Sequence, residues 1–321
     1  TVLVIVNPKS GSNQGEWLWT NVYRPILLAA GVRYEVITTQ AASDPAMIGG
    51  KLSTKRHEAV LCVSGDGMLH HILNGLPDVD KAPPLGVLPA GTVNVLVSSV
   101  SSGRPLCDPV ACMYTLLFGQ QGVTHVDLIA VRSHTEAGAV TTLDPCMLSI
   151  GLIADHDDLQ ERTLRSLGAA KNVLAPLITI IRRRTFAATI FVDVAPTPHY
   201  DDMKDCEEEG PPEAYPAGGG DGQWRVMRGP FLMLTVCNVR QAGTDALLAP
   251  LADHTDGLLD VLVVEDKGWS RFSLAKTFMS LETGLHITLP VVRYVKARRV
   301  VVVPDAGADL RNPNLSGEPL P

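Results

Sequence analysis

No apolar run in the chain approaches the length that crosses a bilayer; the best, 173–181, is short and contains Pro176. The expectation is a soluble or peripheral protein. Cysteines are few, six in all (Cys62, Cys107, Cys112, Cys146, Cys206 and Cys237), and none stands at metal-ligand spacing. Several lie inside apolar stretches, which suits buried thiols in a reducing, cytoplasmic setting better than a disulfide framework. There is no internal repeat, and outside one segment there is no net charge. Between 200 and 222 lie eight acids (Asp201, Asp202, Asp205, Glu207, Glu208, Glu209, Glu213, Asp221) against Lys204, which accounts for the whole formal charge of −7. The remaining body carries no bias toward nucleic acid.

What is present is apolar. At 321 residues and 45% hydrophobic, the chain is long enough for two domains and too long for one small module. It opens in what already reads as a strand and closes without a terminal element, as a trimmed piece of a longer protein would. Apolar runs at 2–6, 34–38, 59–63 and 85–88 alternate with helical patterns at 16–30, 44–52, 67–76 and after 94. Repeated βα units predict an open parallel sheet. After His125 the pattern turns β-rich, with runs at 126–131, 146–152, 187–194, 231–236, 258–264 and 299–303, interrupted by helical stretches at 159–184 and 270–283. The expected architecture is α/β: an N-terminal open parallel-sheet nucleotide-binding domain over 1–124, then a C-terminal antiparallel β-sandwich with inserted helices over 125–321. The acidic Pro- and Gly-rich segment 197–222 reads as a disordered insertion.

Three loops fall at the carboxyl ends of the expected parallel strands, where open α/β sheets take their ligands. They are Asn7-Pro8-Lys9-Ser10-Gly11, Ser64-Gly65-Asp66-Gly67 and Pro89-Ala90-Gly91-Thr92-Val93-Asn94. In the second, Ser64, Gly65 and Gly67 let backbone approach a ligand closely, and the helix that follows offers free N–H groups to phosphate oxygens. Asp66 is the odd member. A carboxylate among phosphate donors is repelled unless it takes a proton, binds a metal or meets a hydroxyl, so its place points to chemistry. His70 reads as a packed helix residue, and 174–181 as core or lipid pocket. Asp256-Gly257 with Asp260 is either a plain turn or a structural metal site, and Arg182-Arg183-Arg184 either a solvated helix end or a contact for anionic headgroups.

Taken together, these residues resemble the lipid kinases with a diacylglycerol-kinase-type catalytic domain, and within them the sphingosine-kinase branch. The likeness rests on Ser64 opening the Ser-Gly-Asp-Gly loop with His70 and Asn74-Gly75-Leu76 behind it, on the acidic run 155–161 followed by Arg165-Ser166-Leu167-Gly168, and on the acidic insertion ahead of Trp224. The resemblance implies ATP and Mg²⁺ dependence and transfer of phosphate to the primary hydroxyl of a sphingoid base, by a cytoplasmic enzyme in peripheral contact with membrane. It implies Asp66 as the catalytic carboxylate. It implies nucleotide contacts at Asn7, Pro8, Lys9, Thr39, Ser64, Gly65, Gly67, His71, Gly91, Thr92, Val93, Arg165, Lys171, Gly317 and Glu318. Ser64, Asp66, Gly67 and Asp158 would meet the acceptor, with Asp155 and Asp157 as rivals to Asp158; no metal ligand is assigned. His71 stands where the family commonly has an acid, Lys171 where an arginine is usual, and Ser316 where an aspartate is. A diacylglycerol or ceramide kinase, or a lipid-binding homologue of weak or no activity, are the alternatives.

Overall fold

The computed structural model of the chain describes residues 1–100, 107–119, 122–135, 138–164, 167, 171–196, 203–212, 222–243, 246–310 and 312–320. Two compact units emerge, one of 1–145 with 241–244 and one of 146–240 with 245–321.

The first unit holds strands β1 (Val2–Val6), β2 (Tyr34–Thr38), β3 (Ala59–Ser64) and β4 (Leu85–Pro89) in one parallel sheet of order β2-β1-β3-β4. Alternation sorts the side chains. Val4, Val6, Leu61, Val63 and Leu88 face a core completed by Trp19, Tyr23, Leu27 and Met113. Leu3, Ile5, Val60 and Cys62 face the opposite side, against Met68 and Ile72. Helices therefore cover both faces, which is why these strands read as continuous apolar runs. Each such side chain removed from water contributes about 1.5–3 kcal/mol. Helix Asp66–Gly75 starts from an extended Gly65 and stops at Leu76, which Pro77 drives out of helical geometry. Helix Pro109–Phe118 has Pro109 in its first turn and Asp108 as cap, accepting the Ala111 N–H at 2.7 Å.

A hairpin of β5 (Ile129–Thr135) and β6 (Gly138–Asp144) also belongs to this unit. The unit thus runs on to Pro145, past the division expected at 124. The β-rich composition after His125 changes before the fold does.

The second unit is one antiparallel sheet, in which β7 (Met147–Gly151), β8 (Ala188–Val194), β9 (Gln223–Arg228), β10 (Phe231–Cys237), β11 (Leu259–Glu265), β12 (Arg293–Pro304), β13 (Asn314–Leu315) and β14 (Glu318–Pro319) are ordered β14-β13-β7-β10-β11-β12-β8-β9. Gly151 ends β7 at φ 79°, and a Cβ there would meet the Leu232 carbonyl oxygen at 2.4 Å, so only glycine makes this turn. The chain then enters helix Leu152–Asp158, a turn of π-helix at Leu159–Thr163, and helix Lys171–Arg182. The single helical stretch expected over 159–184 begins seven residues earlier in fact and is interrupted. Helix Arg271–Met279 is capped by Ser270, which accepts the Ser273 N–H at 3.1 Å.

The expected disorder across 197–222 fails for its middle. Residues 197–202 and 213–221 lie outside the described residues, but 203–212 dock as a strap. Met203 is fully buried, the Cys206 N–H returns to the Met203 carbonyl, and Glu207 bridges Val226 of β9. The four acids of the strap are ion-paired: Asp205 bidentate to Arg293 at 2.7 and 2.9 Å, Glu208 to Arg225, and Glu207 and Glu209 to Arg228. All six cysteines are free thiols, four of them buried. Among the described residues no helix is long and apolar enough to cross a membrane.

Candidate functional site

In the first unit the three loops leave neighbouring strands at one edge and are tied to each other by backbone. The Asn7 N–H donates to the Val63 carbonyl at 3.1 Å, the Thr39 N–H to that of Val6 at 2.9 Å, and the Ala90 N–H to that of Ser64 at 3.0 Å. A Cβ on Gly91 would stand 2.6 Å from the Gly65 Cα, so the second and third loops touch backbone to backbone with no room for a side chain. Asn94, buried, closes the third loop through its amide, taking the Gly91 N–H at 3.4 Å and donating to the Gly91 carbonyl at 3.3 Å.

Asp66 joins the same two loops. Its carboxylate accepts the N–H of Val95 at 2.7 Å and that of Leu96 at 3.1 Å, the first amides of helix Val95–Val100. The group is 7% exposed. Burial raises its pKa to about 6; the two N–H bonds oppose that rise and the Asp144 carboxylate adds to it. A carboxyl that titrates near neutrality while fixed by two backbone donors is suited to accepting a proton from, or orienting, an alcohol.

The other residues nominated in this unit divide. Asn7 folds an Asx turn, its side chain accepting the Lys9 N–H at 3.0 Å; Pro8 is half-buried and Lys9 extends into solvent. Gly65, Gly67, Gly91 and Val93 are half-buried and Thr92 exposed, at the same edge. Two hydroxyls turn inward. Ser64, fully buried, donates to the Gly65 carbonyl at 2.9 Å, and Thr39 donates to the Val6 carbonyl at 3.3 Å. His71 lies edge-on to the His70 ring, 5.4 Å between centroids.

The residues nominated in the second unit form a separate set. Asp155, Asp157 and Asp158 sit on helix Leu152–Asp158; Asp155 is buried and accepts from the Asn312 amide at 3.3 Å, while Asp157 and Asp158 are half-buried. Arg165 lies outside the described residues, and Lys171 begins helix Lys171–Arg182. Ser316 and Gly317, at φ 49° and 84°, are the two-residue loop between β13 and β14, and Glu318 opens β14. Asn, Asp and Gly favour such positive-φ pairs, so an aspartate at 316 has a conformational reason that serine meets less well. The acids near Asp256 hold a lysine: Lys296 Nζ lies 2.6 Å from Asp256 and 3.0 Å from Asp260. Arg183 pairs with Asp266, leaving Arg182 and Arg184 exposed.

Two features had no sequence signal for what they do. A narrow apolar cavity lies under helix Arg271–Met279, lined by Leu152, Ile153, Met233, Leu274, Phe278 and His286 among others. His70 and Asn74 are anchors: His70 Nδ1 lies 2.9 Å from Asp144, and Asn74 exchanges hydrogen bonds with the Leu143 backbone at 2.9 and 2.8 Å.

Comparison with known proteins agrees with this fold. Residues 1–131 match the diacylglycerol kinase catalytic domain and 219–320 the YegS C-terminal NAD kinase beta sandwich-like domain. Sphingosine kinase 1 of Arabidopsis thaliana is 27% identical over 325 residues, covering 96% of this chain and 65% of its own length. Sphingosine kinase 1 of Homo sapiens is 25% identical over 304 residues, 89% of this chain and 77% of that one. The chain therefore spans about two thirds of the plant relative. Among solved structures, a diacylglycerol kinase of Bacillus anthracis superposes with a TM-score of 0.57 at 17% identity, over 98% of this chain and 89% of that one, and carries the same fold. The chain thus carries a diacylglycerol kinase catalytic domain followed by a YegS-type C-terminal domain, and over nearly its whole length it is similar to sphingosine kinases.

Proposed function

We propose that this chain transfers the γ-phosphate of ATP to the primary hydroxyl of sphingosine or a closely related sphingoid base. The observation that carries the reading is Asp66, a buried carboxylate with pKa near 6 held at the meeting of two glycine loops by the N–H groups of Val95 and Leu96. In phosphoryl transfer the protein positions the reactants and orients the attacking group, and Asp66 takes the acceptor's hydroxyl. The fit for a nucleotide is the side-chain-free contact of Gly65 with Gly91, which lets phosphate approach backbone. Asn7 to Lys9, Ser64 to Gly67 and Gly91 to Val93 would hold it, with His71, Thr39, Arg165, Lys171, Gly317 and Glu318 contributing as the resemblance implies. Among the described residues no three His, Cys, Asp or Glu side chains surround a metal position, which suits a Mg²⁺ that arrives on the phosphates. When bound, that ion neutralises charge on the transferring group.

The apolar lining under helix Arg271–Met279, which encloses only about 20 Å³, is of the chemistry a lipid tail takes once the helix moves outward. Asp158 supplies the preference for a sphingoid base, because its carboxylate attracts the substrate's ammonium, a charge that a diacylglycerol lacks. Membrane contact belongs to the same reading. Leu274 and Thr277 of helix Arg271–Met279 turn to the cavity, while Phe272 and Met279, 80% and 81% exposed, lie on the outer side with Lys276, and Arg271 reaches the Ile181 carbonyl of the adjoining helix. Apolar side chains among cations suit an anionic bilayer surface, and free thiols suit a cytoplasmic location.

Transfer of labelled γ-phosphate to sphingosine, ceramide and diacylglycerol, with Asp66→Asn, Asp158→Asn and Asp157→Asn alongside, tests the proposal. Sphingosine is expected to be phosphorylated, Asp66→Asn to abolish transfer, and Asp158→Asn to erase the preference over diacylglycerol. Labelling of diacylglycerol or ceramide alone would replace the acceptor assignment, and no labelling of any lipid would refute the activity.

A further inference from the structure

Helix Asp66–Gly75 carries Asp66, His70 and Asn74 at four-residue intervals, the spacing that sets them on one side. Each is committed to something buried or backbone. His70, 6% exposed, places Nδ1 2.9 Å from Oδ2 of Asp144, a carboxylate with no exposure at the end of β6. One turn on, Asn74 donates to the Leu143 carbonyl and accepts the Leu143 N–H, so the last two residues of β6 are fixed against successive helix turns. The negative charge of Asp144 is thereby held close behind Asp66 at a position the hairpin cannot easily change.

Burying an acid–imidazole pair is expensive, and apolar residues of similar volume would pack the same hairpin without that cost. We propose that the His70–Asp144 pair is a positioning device that sets the pH at which the Asp66 carboxylate is free to take a proton. This rests on Asp66 being the group that meets the acceptor hydroxyl. The field of Asp144 favours the protonated form of Asp66, and a positive charge on His70 offsets it; Asp144 is the charged group that adds to the upward displacement caused by burial. The remaining groups that face this trio are few. His71 lies edge-on to His70 on the same helix, and β3 beneath brings the buried Cys62 thiol. Helix Val95–Val100 meets Asp66 with backbone N–H groups, and helix Asp44–Gly49 brings Asp44, whose carboxylate already accepts the N–H groups of Gln40 and Ala41.

The test is the acidic limb of kcat/KM against pH for three variants of the full chain. Asp144→Asn, which keeps an acceptor for His70 but removes the charge, should move the limb to lower pH, raising the fraction of plateau activity at pH 5.5 about threefold. His70→Gln, which keeps a donor to Asp144 but cannot carry the offsetting charge, should move it to higher pH. Asn74→Ala loosens the same hairpin without changing a charge and should scale activity at every pH alike. Limbs that stay in place in both charge variants while activity falls would overturn the proposal and leave the pair a structural latch. Carboxyl NMR titration of Asp66, assigned by its loss in Asp66→Asn, gives the same reading without turnover. If no protein, the unmutated one included, phosphorylates lipid, the activity fails and the titration alone decides: opposite displacements sustain the tuning role and equal titration curves end it.

Discussion

One carboxylate of the first unit and the carboxylates of the second unit's sheet are held in opposite ways. In the first, the carboxylate at the loop edge is gripped by amides: Asp66 accepts from Val95 and Leu96. In the second, charge is gripped by charge. Asp193, fully buried in β8, takes Arg299 at 2.7 Å and Arg298 at 3.2 Å, with Arg299 stacked 5.3 Å from the Trp224 ring centre; Lys296 binds Asp256 and Asp260; Arg293 binds Asp205 and Glu265. Amides and salt bridges both favour the ionised carboxylate, but at Asp66 burial outweighs the two amides and leaves the group able to change its proton near neutrality. The first arrangement fits a group that acts, the second a scaffold.

The sharpest way to break this contrast is at Asp66 itself. Asp66→Asn is expected to lower lipid phosphorylation about 10³-fold while nucleotide affinity, read by a fluorescent ATP analogue, stays within a factor of a few. Equal losses in both would mean that the carboxylate only builds the loops. The same group should be visible in stability. Its folded pKa of about 6 lies above the unfolded value near 3.8, so its contribution is present below pH 4 and is lost as pH rises through 6, in all about 3 kcal/mol. Denaturant midpoints between pH 4 and 7.5 should therefore fall for the natural protein relative to Asp66→Asn, and parallel curves would contradict the assignment.

Next in size, Gly91→Ala pushes a methyl group to within 2.6 Å of Gly65, and nucleotide binding should weaken about 100-fold. Asp193→Asn, in the other unit, should cost about 2 kcal/mol of stability by leaving Arg298 and Arg299 without their buried partner, yet leave KM for ATP unchanged. A changed KM there would erase the division between acting and scaffolding charges. Smallest of all, Glu207→Gln on the strap should leave the unfolding midpoint unmoved, because its partner Arg228 is half in water and such pairs contribute little.

How much of this was legible beforehand varies with the range of the interaction. The parallel sheet and its three loops follow from local signals, apolar runs ending on glycine, and β1 to β4 fall where the runs do. Helix Leu152–Asp158 was hidden because the apolar run from Cys146 continues through Gly151 into Leu152, and only the positive φ of that glycine separates strand from helix. β9 was hidden by its polar alternation, and the strap by a composition that reads as disorder until Arg225, Arg228 and Arg293 are brought against it. At the site, Asp66 could be singled out from its neighbours, but its amide partners are 29 and 30 residues away. His70 and Asn74 stood out as marks of a branch, and their task became readable only when β6 lay beside them.

Asn74 carries a more general lesson. A helix has no free backbone edge along its middle, so it cannot extend a sheet; by presenting a carbonyl oxygen and an amide at the spacing of a peptide unit, this one side chain gives the helix a rung on which a hairpin can pair. One of the two rungs that attach the two-stranded ribbon, the other being the His70–Asp144 contact, is thereby written in a single codon. Aspartate there would lose the donor and leucine both halves, so the ribbon would hang on the His70–Asp144 contact while every strand within it stayed intact.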